Sequence, residues 1–175
     1  MIEPAERVHA TVIGASQFTV QVSGKTIYLS HNDVLPVYNI PVVDLGLELS
    51  NEIDEDAIVG AFSRNADILD LAPDAKIALA FTFSTEPDYP RLATIARSIM
   101  RFAAPAGRRD ELLVLMIDGD IGRSLGRILH EEFGLKSKLL SIDGVKLQQL
   151  DFVDIGELID PPGVVPVVIK SLLFK

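Results

Sequence analysis

The sequence predicts an α/β protein built on a mixed sheet, with antiparallel hairpin strands at the N-terminus followed by alternating helices and strands whose helices pack on that sheet. Three observations carry this. Val8 to Ser30 consists of short Val-, Ile- and Thr-rich runs punctuated by turn residues. From Asn51 onward, apolar residues at helical spacing alternate with short unbroken apolar runs. Antiparallel neighbours can share tight turns whereas parallel strands need a helical crossover, so this order of elements implies a sheet of mixed sense.

The runs "VHATVIG", "FTVQVSG" and "KTIYLS" are separated by Gly14-Ala15-Ser16-Gln17 and Ser23-Gly24-Lys25, both hairpin signals. "LPVYNIPVVDL" contains Pro36 and Pro41, and proline cannot donate to a ladder, so it reads as an extended edge or connecting segment. Ser50 and Asn51 offer N-caps to a helix carrying Ile53, Ala57, Ile58, Ala61, Phe62 and Leu69 on one face. "KIALAFTF" follows as a buried strand. Asp88 with Pro90 then opens a second helix, striped by Leu92, Ile95, Ala96, Ile99 and Phe102 and broken at Pro105-Ala106-Gly107. "ELLVLMI" is the clearest buried strand. The helix after it shows Ile121, Leu125, Ile128, Leu129 and Phe133 on one side and stops at Gly134. "SKLLSI", "VKLQQLDFVDIG" and "VPVVIKSLLF" complete the chain as strands or extended pieces, joined by Asp143-Gly144 and Pro161-Pro162-Gly163.

At 175 residues and 48% hydrophobic content, the chain reads as one domain over 1–175. Its net charge of −9 opposes a nucleic-acid surface or an anionic membrane, and neither is expected as a partner. It has no cysteine, which removes disulfides, thiolate metal sites and cysteine nucleophiles. The acidic N-terminus and the shortness of every apolar run predict a cytoplasmic protein.

Two stretches are candidate sites. In "LMIDGDIGRSLGRIL", Asp118, Gly119, Asp120 and Gly122 lie between a strand and a helix, where unpaired N–H groups can meet a ligand. The spacing departs from the dinucleotide fingerprint, and a structural turn is an equal reading. The two aspartates favour contact with a neutral part of a nucleotide over pyrophosphate. In "TVIGASQFTVQVSG", Gly14, Ser16 and Thr19 can wrap a phosphate with amides and hydroxyls, although an ordinary hairpin needs the same residues. His9, His31 and His130 are scattered, so no metal site is expected. No nucleophile elbow, Walker loop or zinc-helix motif is present, and catalytic residues are not identified.

Three longer stretches, "ERVHATVIGASQFTVQVSGKTIYL", "LLVLMIDGDIGRSLGRIL" and "DFVDIGELIDPPGVVPVVIKSLLF", resemble the C-terminal part of the ethanolamine ammonia-lyase reactivating factors of the ethanolamine utilisation pathway. That family is similar to the actin, sugar kinase and heat-shock 70 ATPases, whose two related halves close over a nucleotide. The resemblance therefore implies an actin/ribonuclease H-like fold and a second, C-terminal half whose N-terminal half is absent from this chain. It implies nucleotide contact by Gly14, Ala15, Ser16, Gln17 and Thr19 in a phosphate hairpin, and by Asp118, Gly119, Asp120 and Gly122 in an adenosine corner. The superfamily hairpin usually has an aspartate two residues before its glycine, where this chain has Val12.

For the intact protein the resemblance implies ATP and Mg2+ as cofactors and ethanolamine ammonia-lyase as partner, with damaged cobalamin released so that fresh adenosylcobalamin can bind. It implies that the fragment alone requires no cofactor and is inactive, and it admits association with a bacterial microcompartment. A structural or interaction module and a self-contained nucleotide-binding enzyme domain are the alternatives.

Overall fold

A computed structural model describes residues 15–23, 26–50, 52–72, 74–104 and 111–173. The strands are β1 (Ala15–Val22), β2 (Ile27–Leu29), β3 (Val37–Leu49), β4 (Ile77–Phe83), β5 (Leu113–Asp118), β6 (Leu139–Asp143), β7 (Asp151–Ile155) and β8 (Pro166–Leu173). The helices are α1 (Glu55–Ile68), α2 (Tyr89–Ala103) and α3 (Gly122–Arg127), the last continuing as a π-helical turn over Ile128–Glu132. The eight strands form one sheet in the order β1-β8-β7-β3-β4-β5-β6-β2. From β3 to β6 neighbours run parallel, while β2, β7, β8 and β1 add antiparallel. The expected mixed α/β sheet with packed helices is what forms.

The parallel strands are buried on both faces, which is why β4 and β5 read as unbroken apolar runs. On one face, Leu79, Phe81, Leu115 and Ile117 meet Ile58 and Phe62 of α1, Ile95 and Ile99 of α2 and Leu125 of α3. On the other, Val42, Ala80, Val114, Met116 and Ile142 pack with Val153, Ile155, Val167 and Ile169 of β7 and β8. The sheet is therefore curled, its antiparallel half folded over its parallel half. Chain connectivity requires the same curl. β1 and β2 stand at opposite ends of the strand order, yet only residues 23–26 join them, and four residues span at most about 14 Å.

The structure corrects three sequence expectations. Ser23-Gly24-Lys25 does not close a hairpin between β1 and β2. β1 pairs with β8 and β2 with β6, so the connection bridges the two edges of the curl. The segment with Pro36 and Pro41 is not an edge or connector; it is β3, paired on both sides. Pro36 precedes the strand, and the ladder to β4 begins only at Val42, so neither proline must donate to that ladder. The ladder to β7 shifts register between Val37 and Ile40, where Asn39 takes a φ of 55° and its N–H donates to the Asp154 carboxylate at 2.7 Å. The α1 N-cap is Asp54, which accepts from Asp56 N at 2.9 Å, and not Ser50 or Asn51.

Other local expectations hold for the reasons given. Asp88 caps α2 by accepting from Arg91 N at 2.8 Å, with Pro90 in the first turn. Gly134 takes the left-handed conformation (φ 68°), and Leu135 N then reaches back to Leu129 O at 2.9 Å. The break at Pro105-Ala106-Gly107 lies outside the described residues.

Candidate functional site

The strand registers fix where each described candidate residue stands along the sheet. The carboxyl ends of β4 and β5 align through Thr82 and Asp118, and that of β3 aligns with them through Leu49 and Phe83. β7 runs antiparallel along the first part of β3, with Phe152 opposite Pro41, so Asp151, paired with Ser171 and through it with Gln17 of β1, stands level with the start of the β3–β4 ladder at Val42 and Ala78. Ala15, Ser16 and Gln17, read as part of a turn, are the first residues of β1, opposite Leu173, Leu172 and Ser171. Gly14, Val12 and the strand "VHATVIG" lie outside the described residues.

Strand alternation turns Gln17, Thr19 and Gln21 to one side of β1 and Phe18, Val20 and Val22 to the other. Gln17, Thr19 and Gln21 line a cleft of about 290 Å³ with Ser171 of β8 and with Lys146 and Gln148 of the β6–β7 connection. The Lys146 ammonium lies 3.9 Å from Asp118 Oδ2, which also accepts from Thr82 Oγ1 at 3.4 Å. Lys146 thus joins the β1 wall to the corner after β5, a link that neither glycine motif reveals in the sequence.

The corner itself is filled from within. Asp143, at the end of β6 and only 3% exposed, directs Oδ1 at the first N–H groups of α3, 3.1 Å from Ile121 N and 2.6 Å from Gly122 N. Its Oδ2 accepts from the Thr26 hydroxyl, which also reaches Asp120 Oδ1 at 3.1 Å. Burial pushes the Asp143 carboxyl above the usual carboxylate range, against the lowering effect of Thr26 and the two backbone donors. A buried carboxylate already takes the place at this helix start that a phosphate would need.

The glycines of the corner answer to the same packing. A Cβ on Gly119 would lie 2.9 Å from the Phe83 carbonyl oxygen, and one on Gly122 would lie 2.7 Å from Asp143 Oδ1. Gly126, one turn further, faces the Tyr28 ring, whose Cγ would be 2.5 Å from a Cβ there. All three therefore permit intramolecular close approach. Asp118 and Gly119 are half-buried and Asp120 is exposed, so ligand access from solvent exists beside them.

The histidines, expected to be scattered, partly converge. The Tyr28 hydroxyl and His130 Nδ1 are 2.9 Å apart, and the His31 ring sits edge-on to His130 at 6.1 Å between centroids. His9 lies outside the described residues. Among the described residues no group of three metal-ligating side chains occurs, and no helix is long and apolar enough to cross a membrane.

The family model for the ethanolamine utilisation protein EutA matches residues 1–175. The chain belongs to the EutA family. It is 36% identical over 173 residues to the ethanolamine ammonia-lyase reactivase EutA of Escherichia coli, and 36% identical over 174 residues to that of Salmonella typhimurium. Each alignment covers 98% of this chain but 35% of the relative, so the chain spans about a third of the length of these EutA proteins. No solved structure gives a significant match.

Proposed function

We propose that this EutA-family chain supplies one wall of a nucleotide site in a chaperone-like factor, which uses ATP to release damaged cobalamin from ethanolamine ammonia-lyase. The observation that carries the reading is the match over 98% of the chain to two proteins named as reactivases of that enzyme. Their greater length supports a first half, outside this chain, that closes the site from the opposite side. Parallel strands joined by helical crossovers, with Asp118 and Gly119 at the carboxyl end of β5, support the actin/ribonuclease H-like reading of the fold.

In this proposal the base and ribose lie against the corner at Asp118, Gly119 and Asp120, where carboxylates can accept from hydroxyl or amino groups. Gln17 and Thr19 face the phosphates. The cleft suits the phosphates of ATP in offering amides, hydroxyls and a lysine beside one carboxylate, Asp151, in a chain of net charge −9. Magnesium finds a weaker set, since no three ligands converge among the described residues, and a metal would need further ligands from the nucleotide and the opposing half. Binding energy from the nucleotide can drive release only by favouring one arrangement of the two halves over another. A wall that holds ATP without completing a hydrolytic site suits that role.

The test is cobalamin release from ethanolamine ammonia-lyase inactivated with a damaged cobalamin, followed by absorbance. This chain together with the remaining two thirds of the E. coli relative is expected to release cobalamin only with Mg-ATP, and neither part alone to do so. Release by this chain alone would overturn the one-wall reading; release indifferent to nucleotide would overturn the use of ATP.

A second reading, an interaction module, is favoured by the outer face of β1. Phe18, Val20 and Val22 are 63%, 69% and 62% exposed in a row on the strand that ends the sheet among the described residues, an apolar stripe of the kind that protein contacts cover.

A further inference from the structure

We infer that the open edge of β2 takes an extended peptide segment of a partner protein, which adds to the sheet as a further strand and places one carboxylate on Arg123. The inference does not rest on the nucleotide reading. β2 ends the strand order, with β6 as its one neighbour among the described residues. Ser30 N donates to Leu139 O at 2.9 Å, so residue 30 turns its backbone groups to β6. Backbone direction alternates along a strand, so Tyr28 also faces β6 while Ile27 and Leu29 face away. The far side of β6 gives the same answer. Leu113 N donates to Lys138 O at 2.9 Å, so residues 138, 140 and 142 turn to β5, and Leu140 and Ile142 are the partners of Leu29 and Ile27. Two N–H and two C=O groups of β2 are thus left on its free side.

These groups open on a cleft of about 390 Å³, lined by Ile27 and Leu29 on one side, by Leu158 and Asp160 of the β7–β8 connection on the other, and by Arg123 of α3. An open strand edge is a template for another chain, and strand addition is a recurring way of binding extended peptides. The loop wall leaves room for one extended segment, whereas a second copy would have to bring a whole sheet edge into the same space. Charge names the segment further. Arg91, Arg97, Arg101 and Arg127 each meet a carboxylate. Arg123 is exposed and has no hydrogen-bond or ion-pair partner among the described residues. A guanidinium binds a carboxylate through two parallel N–H···O bonds. Asp160 in the loop wall opposes a run of acidic residues, and Ile27, Leu29 and Leu158 offer apolar surface. The segment selected therefore carries a single carboxylate among apolar neighbours.

The test uses this chain with the capped peptide Ac-Thr-Val-Glu-Val-Thr-NH2 as probe, followed by amide hydrogen exchange and NMR titration. In the free chain the Ile27 and Leu29 N–H groups should exchange rapidly and that of Tyr28 slowly. Protection of Ile27 and Leu29 in the free chain would mean that a second copy or this chain's own residues already pair with the edge, and would overturn the inference. Saturating peptide is expected to protect both and to shift the signals of residues 158–163. Affinity should fall about tenfold in Arg123→Gln, or when glutamine replaces the peptide's glutamate, the loss of a hydrogen bond to a charged group. Arg127→Gln, which removes a cation of α3 outside the cleft, should leave it unchanged. N-methylation of one alternating set of peptide amides should abolish binding and that of the other set should not, because one set alone faces β2. The same effect from both sets would overturn strand addition. Equal weakening by Arg123→Gln and Arg127→Gln would mark non-specific charge attraction and overturn the carboxylate site, and absence of binding at millimolar peptide would overturn the whole inference.

Discussion

Asp143 Oδ1 lies 2.6 Å from Gly122 N and would lie 2.7 Å from a Cβ on the same residue, so the carboxylate that caps α3 also forbids a side chain there. Gly122→Ala must move Asp143 away from two N–H groups it satisfies in a buried setting. Overpacking of this kind costs about 1–3 kcal/mol, or roughly 2–12 °C in melting temperature for a domain of this size. Calorimetric melting of the variant checks it.

Asp143 itself separates geometry from charge. Asparagine can keep its oxygen on Ile121 N and Gly122 N and turn its amide toward Thr26, so Asp143→Asn is expected to fold. Asp143→Ala leaves two buried donors unpaired and should lose about 2 kcal/mol or more. The pH dependence follows from the direction of the shift. Burial raises the folded carboxyl above its unfolded value, so the folded state binds the proton more tightly and stability from this group is present below the unfolded value. It is lost as pH rises through the raised one. Wild type should therefore lose stability relative to Asp143→Asn across that rise, as read by denaturant melts at a series of pH values.

Gly126 and Tyr28 provide a test of sign. Alanine in a helix interior is normally better than glycine by about 1 kcal/mol. Here its Cβ would meet the Tyr28 ring and disturb the Tyr28–His130 hydrogen bond, so Gly126→Ala should destabilise. In a Tyr28→Ala background the same change should become neutral or stabilising. A double-mutant cycle measures the coupling, expected at about 0.5–3 kcal/mol.

Gly119→Val would set a branched side chain against the Phe83 carbonyl oxygen, 2.9 Å from the Cβ position. It should cost stability whether or not a ligand binds, and loss of nucleotide binding in that variant is informative only where melting shows it folded. Gly134→Ala meets nothing within 4 Å and carries only the strain of a φ of 68°, about 1 kcal/mol. It should bind nucleotide as the wild type does.

Local chemistry was legible in the sequence wherever it acts alone. The apolar runs of β4 and β5, the Asp88 cap with Pro90 and the Gly134 stop all form as read, because burial on both faces and cap geometry are decided within a few residues. β3 was not legible, since Pro41 is harmless only because the β4 ladder starts after it and Asn39 absorbs the irregularity toward β7. The separation of β1 from β2 depends on a curl that no single segment encodes. Of the residues around the cleft and the corner, Thr19 and Asp118 were singled out by motif and Gln17 only through the family resemblance. Lys146 and Asp143 were missed because each acts across more than 20 residues of sequence, Lys146 on Asp118 and Asp143 on Gly122. The glycine spacing at 119, 122 and 126 was the available signal for close approach, and it records contacts with Phe83, Asp143 and Tyr28.

The central claim, that the end of the sheet at Asp118 and Gly119 receives the nucleoside, is tested most directly by photolabelling this chain with an azidoadenine analogue of ATP and mapping the label after trypsin digestion. Cleavage after Arg109 and Arg123 isolates Asp110 to Arg123, the peptide that carries the whole corner. The account predicts label in that peptide, abolished by excess unlabelled ATP or adenosine and retained in Lys146→Gln at saturating analogue. Label confined to other peptides, or label in this one that excess ATP does not reduce, would contradict it.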